Sequence, residues 1–112
     1  MAQRTLTAKK LIRALILLKK KWIGPEEFFK KWNKCRKLLY ETAEYKAFLL
    51  EVRTRDGGLC KCGKMGREVH HIIRVYDDPS LALETDNAVL LCVRCHKKQH
   101  RKKRTYSEEN LK

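Results

Sequence analysis

Two short stretches decide the fold: Cys60-Lys61-Cys62-Gly63, and Leu90-Leu91-Cys92-Val93-Arg94-Cys95-His96. Four of the five cysteines fall in these two pairs. A structural Zn²⁺ takes four thiolate or imidazole ligands in a tetrahedron, commonly two from each of two knuckles. Cys92 and Cys95 have the C-x-x-C spacing that one knuckle needs. Cys60 and Cys62 are one residue tighter, with Gly63 behind them to relax the turn. The chain between the pairs reads as two short strands. Residues 67–76 are rich in β-branched and aromatic side chains, and 77–87 form a loop through Asp77-Asp78-Pro79. Ala88 to Leu91 is a second, apolar strand, and residues 93–104 continue as a basic helix. A β-β-α unit this small buries too little surface to be stable alone, which gives a metal staple its physical purpose. Reduced, buried thiols are the alternative reading of the same cysteines.

Before Cys60 the periodicity is helical. Residues 6–23 carry Leu11, Leu15 and Leu18 in register, with Ile12 and Ile16 widening the stripe and Thr7 placed to cap. Gly24-Pro25 breaks that helix and opens a second, to about Tyr40, whose Glu26 and Glu27 suit its N-terminal dipole. Its apolar side is expected to bury Phe28, Phe29, Trp32 and Leu39, with Lys30, Lys31, Lys34 and Lys37 opposite; Cys35 reads as a free core thiol. A third helix, roughly 43–55, carries Tyr45, Phe48, Leu49 and Val52 and stops at Asp56-Gly57-Gly58. The pattern leaves open whether the second and third helices are continuous. The expected class is α+β: a helical N-terminal half followed by a zinc-stapled β-β-α unit.

The 112 residues include 27 Lys and Arg against 13 Asp and Glu, a net charge of +14. Both halves of the chain are basic, so the folded surface, rather than one tail, is suited to a polyanion. Nucleic acid is the expected partner, gripped mainly through its phosphates. No apolar run approaches a bilayer span, and no segment pairs a clean basic face with an apolar one, so a membrane partner is not expected. Lys9, Lys10 and Arg13 interrupt any export-type apolar region, and a cytoplasmic location is the expectation.

All four histidines fall between residues 70 and 100. His70 and His71, adjacent on a strand, face opposite sides; His96 and His100, four apart on a helix, share a face. A three-imidazole site from His70, His96 and His100 follows, with His71 beside it but outside the coordination sphere. With so much positive charge, the cluster points to a metal-dependent hydrolase of phosphodiesters.

These residues carry a resemblance. Residues 55–64, Val69-His70-His71-Ile72-Ile73, and Asp86-Asn87 through Cys95-His96 and His100 together resemble the HNH endonucleases of the ββα-metal fold. The step from His96 to His100 resembles the metal site of colicin-type nucleases, and the cysteine pairs resemble small phage-type members. With the chain's own pattern, the expected organisation is a basic helical region, 1–56, packed on an HNH nuclease unit, 57–104, with a polar tail, 105–112. The resemblance implies that His71 is the general base and Asn87 a brace for the loop between the strands. It further implies one catalytic divalent ion (Mg²⁺, Mn²⁺, Ni²⁺ or Zn²⁺) on His70, His96 and His100, beside a structural Zn²⁺ on Cys60, Cys62, Cys92 and Cys95. Cleavage would leave a 5′-phosphate and a 3′-hydroxyl. Arg94, Lys97, Lys98 and Arg101, with the lysines of the second helix, are the expected DNA contacts, and phage packaging or other DNA-processing proteins the expected partners. The competing reading is a non-catalytic zinc module binding nucleic acid by charge alone, which would need neither His71 nor Asn87; an interaction protein with a residual nuclease fold is another.

Overall fold

The computed structural model describes residues 7–21 and 23–99. Helix α1 spans Ala8–Lys20, shorter at both ends than its sequence pattern. The Thr7 hydroxyl accepts the Lys10 N–H at 3.2 Å, and Leu11 and Leu15 are buried. Helix α2 spans Pro25–Tyr40, with proline at its first position and Glu26 and Glu27 in its first turn. It buries Trp32 and Leu39. The expectation for Phe29 is corrected: that ring is 50% exposed. It lies one residue round the helix from Phe28, about 100° off the stripe that meets the core.

A turn at Glu41 and Thr42 separates α2 from α3, Ala43–Arg55. Thr42 settles the continuity question, because its hydroxyl accepts the Tyr45 N–H at 3.1 Å and caps a fresh helix. The first turn of α3 also reaches back to α1, where Glu44 Oε2 accepts the Ala8 N–H at 2.7 Å. At its far end Gly57 adopts a positive φ of 65°, and the Gly58 N–H returns to the Arg53 carbonyl at 2.9 Å.

Strand β1, Glu68–His71, pairs antiparallel with β2, Ala88–Leu91, so that His70 faces Val89 and His71 faces Ala88. The end of α3 is fastened to this hairpin. Arg55 donates to the carbonyls of Thr85 at 2.6 Å and Ala88 at 2.7 Å, while Asp56 accepts the Leu90 N–H at 2.9 Å. The pattern that suggested a strand over 67–76 pairs only to His71. Beyond it Asn87 intervenes: its backbone carbonyl accepts the Ile72 N–H, and its side chain brackets Ile73 in place of a further ladder pair. The chain then runs through short 3₁₀ turns at Pro79–Leu81 and Thr85–Asn87. Helix α4, residues 93–99, follows β2, with the His96 N–H returning to the Cys92 carbonyl at 2.9 Å.

One apolar core joins the two halves. Leu11 and Leu15 of α1, Trp32 and Leu39 of α2, and Phe48 and Val52 of α3 pack with Val75, Ala82 and Ala88 from the hairpin and its loop. The helices therefore form the wall against which the loop and strands are shaped. A smaller cluster holds Cys60, Leu91 and Cys92. No described helix is long and apolar enough to cross a membrane.

Candidate active site

The cysteine pairs meet. The sulfurs of Cys60, Cys62, Cys92 and Cys95 all lie within 4.8 Å of one another. Those of Cys62 and Cys92 are 3.7 Å apart, close to the roughly 3.8 Å edge of a tetrahedron with Zn–S bonds of about 2.3 Å. The tight C-x-C knuckle closes because Gly63, at φ 92°, lets its N–H return to the Cys60 carbonyl at 2.8 Å, while the Cys60 N–H meets the Lys64 carbonyl at 2.8 Å. Backbone N–H groups of Cys62, then of Cys92, point at the Cys60 sulfur and hold that thiol well below its ordinary range, at about 6. The Cys95 N–H does the same for Cys92, lowering it. These are the donors that a thiolate cluster requires, and the donor set fits zinc. Cys35 stands apart, donating to the Leu11 carbonyl at 3.4 Å, with burial raising its thiol.

The histidines open onto a cleft of about 300 Å³ beside the hairpin, lined by His70, His71 and His96 together with Arg36, Tyr40, Arg74 and Tyr76. His70 is buried, and its ring meets that of His96 edge-on, centroids 5.2 Å apart and planes at 73°. Metal–nitrogen bonds of about 2.0–2.1 Å put ring centroids about 3.2 Å from an ion, so two imidazoles at octahedral to tetrahedral angles stand about 4.5–5.2 Å apart. The pair fits one ion. His71 leaves the strand on the other side. Its ring stacks on Phe48, centroids 5.6 Å apart and planes 10° off parallel, and tilts against Tyr45. Its Nε2 lies 3.0 Å from the Ala82 carbonyl. A carbonyl can only accept, so that contact puts the proton on Nε2 and leaves the lone pair on Nδ1.

Asn87 holds this arrangement from beneath. It is buried, accepts the Ile73 N–H through Oδ1 at 2.8 Å, and donates through Nδ2 to the Ile73 and Leu81 carbonyls at 3.0 and 3.4 Å. The contact at Leu81 adjoins Ala82, so Asn87 fixes the segment whose carbonyl orients His71.

A family model for the HNH endonuclease matches residues 59–102. A probable HNH endonuclease of Lactococcus phage SK1 is 40% identical over 68 residues, covering 54% of this chain and 72% of the phage protein. The chain belongs to the HNH endonuclease family. The crystal structure of the HNH endonuclease of the deep-sea thermophilic bacteriophage GVE2, determined with a manganese ion, superimposes with a TM-score of 0.67 at 28% identity, over 75% of this chain and 99% of that one.

In this HNH endonuclease the sequence-expected residues fall in three places. Cys60, Cys62, Cys92 and Cys95 form the sulfur cluster, while His70, His71 and His96 share the cleft with Asn87 behind them. Arg94, Lys97 and Lys98 are exposed on α4. His100 and Arg101 lie outside the described residues. Sequence reasoning missed Arg36, Tyr40 and Arg74 as cleft residues. Arg74 reaches the cleft through the loop, where Asp77 pairs with it at 2.9 Å. Arg36 and Tyr40, one helical turn apart on α2, arrive only because α2 packs beside the hairpin. The i, i+4 pairing was a signal that the two share a face, but nothing local said what that face meets.

Proposed function

We propose that this HNH endonuclease hydrolyses DNA phosphodiesters with His71 as general base and one divalent ion held by His70 and His96, with His100 as the candidate third ligand. The observation that carries this reading is the division of labour within one cleft: two imidazoles converge edge-on, and a third is restrained by stacking and by a carbonyl. When bound, the ion supplies Lewis-acid stabilisation of the scissile phosphate and of the departing 3′-oxygen.

The chain's own residues do the rest. The Nδ1 lone pair of His71 takes a proton from the attacking water as its oxygen closes on phosphorus. The Ala82 carbonyl then faces the N–H of an imidazolium, which it favours, and the Phe48 ring prevents the base from turning away. Arg36 and Arg74, on opposite chain elements lining the cleft, attract and orient the phosphates. The P–O bond to the 3′-oxygen breaks, leaving a 3′-hydroxyl once solvent supplies its proton, and a 5′-phosphate. The sulfur cluster takes no part in the chemistry; a zinc held by Cys60, Cys62, Cys92 and Cys95 would tie the knuckle at residues 60–63 to the start of α4, and so help to place His96. The manganese named with the GVE2 relative supports testing Mn²⁺ first, beside Mg²⁺, Ni²⁺ and Zn²⁺.

Supercoiled plasmid treated with EDTA-stripped protein should stay intact, and adding back a divalent ion should convert it to nicked or linear forms. Plasmid left intact with every ion, by a protein that binds DNA and retains its zinc, would return the reading to a non-catalytic zinc module.

A further inference from the structure

The cleft does not end at the histidines. Tyr76, one of its lining residues, is also a wall of a second groove of about 290 Å³, lined by Phe28, Phe29, Lys19 and Lys21. This groove is aromatic. Phe28 lines it and stacks on buried Trp32 at 5.7 Å and 28°. Phe29 and Tyr76 form the rim, 50% and 40% exposed. Their planes lie within 15° of parallel with centroids 6.5 Å apart, so one planar group can lie parallel to both. Lys19 fixes the rim in place: its ammonium donates to the Tyr76 carbonyl at 2.5 Å and the Asp77 carbonyl at 3.2 Å, and sits 4.9 Å over the Tyr76 ring. Lys21, exposed at the mouth, adds positive charge.

Two half-exposed, aligned rings offer apolar faces that a planar group can cover. A lysine-rimmed aromatic slot matches the dual character of a nucleotide, an apolar planar base on an anionic backbone. Its continuity with the catalytic cleft through Tyr76 gives it a place along the substrate. Resting on the function proposed above, we infer that this groove is a stacking subsite for one unpaired base of the DNA strand that enters the cleft. A base paired within a duplex cannot present its face to Phe29, so the subsite favours single-stranded or forked DNA near the scissile phosphate over continuous duplex.

The test is binding in EDTA, where nothing is cleaved, with three labelled DNAs of equal length: blunt duplex, forked duplex and single strand. 2-Aminopurine placed in the unpaired arm reports stacking. The wild-type protein should bind the fork about tenfold tighter than the blunt duplex and quench the 2-aminopurine. Phe29→Ala, at a half-exposed position outside the buried core, should remove both the preference and the quenching while leaving blunt-duplex affinity and the melting temperature unchanged. Phe29→Tyr, which keeps an aromatic face, should retain both. Equal affinity for fork and blunt duplex, or a fork preference and quenching that survive Phe29→Ala, would overturn the inference and leave the groove to a protein partner. These outcomes do not touch the catalytic reading, whose own failure is DNA bound but never cleaved with any divalent ion; absence of DNA binding altogether would overturn both.

Discussion

At the scale of single residues, the adjacent histidines are the sharpest case. His70 meets His96, whereas His71 meets Phe48 and Ala82, so the two should fail differently. His71→Ala is expected to slow cleavage by about 10²–10⁴-fold with metal content unchanged, since a base outside the coordination sphere contributes to the proton transfer alone. His70→Ala and His96→Ala should instead weaken the catalytic ion, and raising its concentration should recover part of the activity. Single-turnover rates against metal concentration distinguish the two patterns, and metal loss in His71→Ala would reverse the assignment. Gly66 makes a second, purely steric case. A Cβ there would run into the side chain of Leu90, which is only 1% exposed and closely held. Gly66→Ala should therefore lower stability by about 1–3 kcal/mol through overpacking. Thermal denaturation of the zinc-loaded protein reads the change, and an unaltered melting temperature would mean that Leu90 has room to turn.

At the scale of elements, the knuckles and the loop brace carry the load. Cys92 belongs both to the sulfur cluster and to the buried group with Leu91 and Cys60. Cys92→Ser should release zinc and unfold the hairpin and α4 while the helices α1–α3 keep much of their circular dichroism, because metal binding in such units is folding free energy. Zinc content measured beside the melting curve tests this; a variant that keeps both zinc and its transition refutes it. Asn87 replaces a ladder pair by three side-chain hydrogen bonds, to Ile73 N–H, Ile73 C=O and Leu81 C=O. Asn87→Ala leaves those backbone groups short of partners, at a cost of about 1–3 kcal/mol for each one kept from water. It should also loosen the segment bearing the Ala82 carbonyl. Amide exchange over residues 72–82 should accelerate, and the cleavage rate should fall without loss of metal. Protection that stays unchanged would show that the 3₁₀ turns hold the loop by themselves.

At the scale of the whole molecule, charge governs the encounter with DNA. With a net charge of +14, binding should weaken steeply with salt, with a log–log slope of about 0.9 per phosphate neutralised on duplex. Titrations between 50 and about 200 mM salt measure it, and a flat profile would remove the electrostatic account of binding. At the same scale, the helical half helps to build the cleft. Val75, Ala82 and Ala88 of the hairpin unit are buried among side chains of α1, α2 and α3 in one core. The His71 ring lies against Phe48 and Tyr45 of α3, and Arg36 of α2 lines the same cleft.

What the sequence determined by itself was whatever depends on spacing along the chain. Helical periodicity, proline and glycine stops and capping threonines located α2 and α3, and paired cysteines with clustered histidines named the sulfur cluster and the catalytic candidates. These signals are local, because backbone hydrogen bonds and ligand spacing act over a few residues. What only the tertiary structure decided was which faces meet. Phe29 looked like core and is half exposed, since the orientation of α2 is set by packing rather than by its own composition. The strand ended at His71 because Asn87, sixteen residues further on, intercepts its hydrogen bonds. Arg36, Tyr40 and the carbonyl of Ala82 joined the histidines through contacts distant in sequence, and such contacts follow from the shape of the shared core, which no local pattern encodes.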